Sequence, residues 1–124
     1  MAFAAHSWES VLAGFSDLAR DNPVFVPMNA AVEQIAHSSY ASGLFPVKSM
    51  QSLHLYQHER FEPYDEQLHL DCEEGAFVVR YLSGGDPRYP WTKRGPDALA
   101  LLDRAIHHVR WFSEYRTAAE DKRQ

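Results

Sequence analysis

Residues 67–82 alternate apolar and polar side chains on either side of a turn, and that pattern limits what the chain can fold into. In residues 67–72, Leu68, Leu70 and Cys72 fall on one side and Gln67, His69 and Asp71 on the other. A period of two is what a half-buried strand needs. Glu73-Glu74-Gly75 reads as a three-residue turn with the glycine at the left-handed position. Residues 76–82 read as the return strand, with Phe77, Val79 and Tyr81 toward the core and Val78 and Arg80 outward. The segments around this hairpin read mostly as helix.

Ser7 is a suitable N-cap, with Glu9 in the first turn where the helix dipole favours an acid. Trp8, Val11, Leu12, Phe15, Leu18 and Ala19 then follow helical spacing up to Asp21-Asn22, before Pro23. Residues 23–27 read as an extended linker closed at both ends by proline. A second helix follows, with Met28, Ala31, Val32, Ile35, Ala36, Ser39 and Tyr40 as its stripe and Gly43 as its stop.

Residues 49–58 fit two patterns. As a strand they place Leu53 and Leu55 on one face and His54, Tyr56 and His58 on the other. As a helix they place His54 and His58 at i and i+4. The strand is preferred, because a lone two-stranded hairpin is marginal in water. Residues 83–96 read as a long loop. Pro96 and Asp97 open a last helix with Leu99, Leu102, Ala105, Ile106, Val109 and Phe112 on its stripe, fraying from about residue 118. The predicted fold is α+β: two N-terminal helices, a three-stranded antiparallel meander, and a long C-terminal helix packed on one sheet face.

A chain of 124 residues suits one domain, 1–124. One cysteine, Cys72, excludes an internal disulfide. Residues 1–5 lack the basic start of a secretory leader, and no apolar run approaches the roughly 18 residues of a membrane span. The expectation is a cytoplasmic protein that does not enter membranes. Twelve bases against 17 acids give a net charge of −5, which argues against nucleic acid as a partner. The charge is uneven. Acids dominate residues 59–74 and bases dominate residues 80–94, a division suited to steering a partner or to self-association.

Two places could carry function. In the 83–96 loop, Tyr89 and Trp91 lie between Arg88 and Lys93-Arg94. Aromatics interleaved with cations stack on rings or peptides and hold anionic groups nearby. The competing reading has Tyr89 and Trp91 folding back over the end of the core. The second place is the outer sheet face, with His54, Tyr56, His58, His69, Asp71 and Arg80. Histidine and carboxylate suit a transition metal, but the spacing matches no metal signature, and no metal or cofactor is assigned. Tyr56 and Arg80 are of types enriched at interfaces.

The order helix, three strands, helix over residues 30–112 is similar to double-stranded-RNA-binding domains. That family carries a lysine cluster at the start of its last helix. Here the matching stretch is Thr92-Lys93-Arg94-Gly95-Pro96-Asp97-Ala98, with proline and aspartate where the pattern continues. RNA binding is not expected from it.

No nucleophile elbow occurs, and Cys72 sits on a core-facing position beside acids that disfavour its thiolate. The expected function is a small non-catalytic binding or regulatory module acting through a protein partner or a homodimer. Its candidate residues are Arg88, Tyr89, Trp91, Lys93, Arg94, Tyr56 and Arg80. The alternative is a small ligand-binding protein or enzyme using the 83–96 loop and the histidine-bearing face.

Overall fold

The computed structural model describes residues 3–83 and 86–108, with the backbone alone at residues 83, 86–90 and 108. A short strand, β1 (Phe3–Ala4), leads into helix α1 (Trp8–Asp21). Ser7 caps α1 by accepting the Ser10 N–H at 3.0 Å, satisfying one of the donors that a helix start leaves open. Val11 and Phe15 are buried, one helical turn apart. Asn22 ends the helix in an extended conformation, and its side-chain oxygen accepts the Val24 N–H at 3.1 Å.

That bond starts a 3₁₀ turn over Pro23–Phe25, and helix α2 (Val26–Ala36) follows directly. The predicted extended linker is therefore a tight turn. Proline restrains φ to a value that 3₁₀ and helical starts also accept, so its presence alone did not choose between them. Met28, Ala31, Val32 and Ile35 are buried, and α2 ends at Ala36, before the predicted stop. A second 3₁₀ turn (Ala41–Gly43) carries the chain into the sheet.

The sheet corrects the predicted fold. It has five antiparallel strands where the sequence suggested three: β2 (Phe45–Ser49), β3 (Ser52–Tyr56), β5 (Gln67–Glu73), β6 (Ala76–Ser83) and β7 (Asp86–Gly95), in that spatial order. Strand β4 (Arg60–Phe61), between β3 and β5, pairs with β1 in a separate two-stranded sheet. Residues 49–58 thus contain a strand, as preferred. The two unforeseen strands, β2 and β7, are the sheet edges and both contain proline. An edge strand tolerates proline because an N–H facing away from the sheet makes no ladder bond. Two extra strands also break the element order that resembled RNA-binding domains.

Helix α3 is described over Ala98–His108, 11 residues, shorter than the predicted span. The predicted continuation to Val109 and Phe112, and the fraying from about residue 118, lie outside the described residues. The hairpin turn holds two residues, not three: Glu74 and Gly75 have φ of 52° and 80°. Positive φ at both central positions matches the twist of the flanking strands.

Helices and sheet share one core on one face of the sheet. Leu53, Leu55, Leu68, Leu70 and Val79 meet Phe15, Met28, Ile35, Leu102 and Ile106 there. Fully burying each of these large side chains contributes about 1.5–3 kcal/mol. Lys48 lies across α1 at Gly14, where a Cβ would stand 2.7 Å from Lys48 Cδ. Its Nζ sits 5.6 Å from the Phe15 ring centroid and donates to the Met50 carbonyl. The Tyr40 hydroxyl donates to Asp103, tying α3 to the turn before β2.

Candidate functional site

The opposite face of the sheet carries the histidines. Register places Val47, His54, His69, Arg80 and Thr92 in one row across all five strands. The His54 and His69 rings stack with centroids 3.5 Å apart and planes 2° from parallel. Beside them Gln67 is 7% exposed, the buried polar side chain of the described core. Its Nε2 donates to the Pro63 and Asp65 carbonyls, both at 2.9 Å. With both amide hydrogens committed, Oε1 must be the atom that faces Tyr56 and His69.

The Tyr56 hydroxyl donates to Oε1 at 2.9 Å, and His69 Nε2 lies 2.7 Å from the same oxygen. A carbonyl oxygen only accepts, so His69 carries its proton on Nε2. Phe61 stacks on Tyr56 at 3.6 Å, and Phe3 stacks on Phe61 at 6.2 Å. The segment 59–66 is therefore pinned across this face, and Ala5 N–H reaches the Glu59 carbonyl at 2.7 Å to hold its start. A face that the sequence suggested was open is partly covered by the protein's own chain.

Burial lowers the His69 pKa to about 3, with His54 and the Arg80 guanidinium adding to the effect. Burial also lowers His54, against an opposing pull from Asp71. Tyr56 is raised, by burial first and then by Asp65. A histidine held neutral this far below its usual range is a weak base near pH 7, poorly matched to general acid–base work. Stacked rings hold their in-plane lone pairs in separate parallel planes, so an ion in the plane of one ring lies out of the plane of the other. Among the described residues no three histidine, cysteine, aspartate or glutamate side chains could hold a metal ion.

The acidic and basic runs meet each other inside the molecule. Arg80 reaches Asp71 at 3.3 Å and both Glu73 oxygens at 3.1 Å. Arg94 lies 3.7 Å from Glu74 and donates to the Glu73 carbonyl at 2.9 Å. Much of the charge division seen in the sequence is thus consumed across β5, β6 and β7.

The candidate binding residues separate accordingly. Tyr56 is buried and hydrogen-bonded, and Arg80 is bound to two carboxylates. Trp91 is half-buried and packs against the core. Arg88 and Tyr89 lie on β7, in the part of the strand described by its backbone alone. Thr92, Lys93 and Arg94 are exposed on β7, and Lys93 has no ion-pair partner among the described residues.

The two sheet edges differ. On β2, His6 N–H reaches the Pro46 carbonyl at 2.9 Å, and the Lys48 N–H reaches His6 Nδ1 at 3.2 Å. The N-terminal segment therefore occupies part of that edge. On β7 one side pairs with β6, and among the described residues no strand pairs with the other. Sequence reasoning found the residues of this edge but took them for a loop. Gln67 was missed as the centre of the face network, since a lone glutamine in a strand carries no local signal. No helix among the described residues is long and apolar enough to cross a membrane. Comparison with protein-family models, with curated proteins and with solved structures finds no match for this chain.

Proposed function

We propose that the protein is a non-catalytic binding module that takes an extended, acidic segment of a partner protein as an added strand on β7. The observation that carries the reading is the edge of β7 with which no strand among the described residues pairs, beside exposed Thr92, Lys93 and Arg94. An open edge offers a row of main-chain donors and acceptors, and strand addition uses them for affinity while side chains set specificity. The strand carries Arg88, Lys93 and Arg94 against Asp86. Pro87 and Pro90 cannot donate, so the usable edge is the stretch from Trp91 to Gly95.

The same cations decide between a partner and a second copy. Pairing β7 with itself would bring lysine and arginine of two chains together, which costs stability, whereas an acidic strand is drawn in. The reading thus favours a partner over a homodimer through this edge. Charge reversal tests it. Lys93→Glu changes an exposed side chain and should weaken binding of an extended glutamate-bearing peptide several-fold while leaving the melting temperature in place. Unchanged affinity in that variant would remove β7 as the docking edge.

A further inference from the structure

A second surface lies at the end of the molecule that carries the β5–β6 turn. Two grooves meet there at Pro27, which lines both. One, of about 570 Å³, runs between α2 and the start of α3, with Ala30, Phe77 and Ala98 in its walls. The other, of about 590 Å³, runs between the Pro23–Phe25 turn and the hairpin, with Val24, Met28 and Cys72 in its walls.

Val24, in the wall of the second groove, is 65% exposed, and two residues next in sequence to lining ones, Val26 and Met50, are 52% and 85% exposed. Val26 sits between the lining residues Phe25 and Pro27, and Met50 adjoins the lining Gln51. Leaving such groups exposed together marks an interaction surface more often than a single stray residue does.

Charge selects the occupant. Asp97 lines the first groove and Asp71, Glu73 and Glu74 the second, and among the described residues no lysine, arginine or histidine lines either. Arg80 and Arg94 pair with three of these from outside the grooves, leaving four carboxylates against two guanidiniums. The Glu74 side chain stays 90% exposed. A second copy docked here would set two acidic rims against each other, and an anionic lipid surface or nucleic acid would be repelled.

We infer that this end docks a short amphipathic helix of another protein. Its apolar stripe lies on Val24, Val26 and the two grooves, and its lysines or arginines face Glu74 and Asp97. Helix-in-groove recognition reads apolar anchors three and four residues apart, and two grooves either side of a ridge suit two such anchors. This surface does not depend on strand addition at β7.

The test uses the full chain and a labelled leucine–lysine peptide of helical periodicity, beside a peptide of the same composition with the periodicity scrambled. Fluorescence anisotropy should give clearly tighter binding of the periodic peptide. Val24→Ser with Val26→Ser should weaken it roughly tenfold, the loss of one well-buried apolar contact. Glu74→Lys should weaken it further, while Tyr64→Ser, an exposed aromatic that lines neither groove, should not. If the double variant does not fold, Val24→Ser alone serves in its place. Equal binding of the scrambled peptide would reduce the attraction to charge alone and overturn the inference. So would unchanged affinity in the valine variant, or no binding of the periodic peptide.

Discussion

His54 and His69 stack ring upon ring on neighbouring strands, 3.5 Å between centroids, and the Nε2 proton of His69 is committed to Gln67. This arrangement holds both imidazoles neutral, and the cost of charging them appears as pH dependence. The folded pKa of His69 is about 3 against 6.5 for the unfolded chain. Between those values the unfolded state binds a proton that the folded state refuses.

Stability from this pair should therefore be whole above about pH 6.5 and decline as pH falls toward about 3. One such histidine gives a slope of at most about 1.4 kcal/mol per pH unit. Urea denaturation across that range should show the decline. His69→Gln keeps a donor for Gln67 and removes the titration, so its acid limb should be flatter. A limb of the same slope in the variant would assign the decline to other groups.

Gln67 joins Tyr56, His69 and two backbone carbonyls of the 59–66 segment. Gln67→Leu strands those partners in a buried site and should cost about 2–3 kcal/mol by urea denaturation, the price of unsatisfied buried groups. Gln67→Glu should cost more, because a carboxylate cannot donate to the Pro63 and Asp65 carbonyls. A near-neutral Gln67→Leu would mean that the segment is held by Phe61 on Tyr56 instead.

At Gly75 an added Cβ would meet nothing within 4 Å, so only the backbone conformation, φ of 80°, opposes a side chain. Gly75→Ala should destabilise by about 1 kcal/mol, the left-handed penalty of an L-residue. Glu74→Asn should stabilise by a few tenths, since asparagine accepts φ near 52° more readily. Thermal melts of the two variants should move in opposite directions.

Stacked imidazoles offer no common point for an ion. Zinc added to the purified protein should therefore give no rise in melting temperature that depends on His54 or His69. A stoichiometric rise that His69→Gln abolishes would contradict the geometry.

How much of this was legible in the sequence follows from how local each signal is. The β5–β6 hairpin and the first helix were plain, because alternation and a capped apolar stripe are short-range patterns. Leu53 and Leu55 also pointed correctly to a strand. The edges were not legible. Phe45–Ser49 and Asp86–Gly95 hold three prolines between them, which read as breakers until the strands are known to be outermost. The face network was hidden for a different reason. Gln67, Tyr56 and His69 are ordinary alone and meaningful only in register, and register is a tertiary fact. The charge runs were visible, but their mutual neutralisation through Arg80 and Arg94 was not.

The central claim is strand addition on β7, and amide hydrogen exchange tests it most directly. With an extended glutamate-bearing peptide bound, those amides between Trp91 and Gly95 that point away from β6 should become protected, while amides along β2 stay as they were. Bound peptide with no change at these β7 amides, or with protection appearing along β2 instead, would contradict the account.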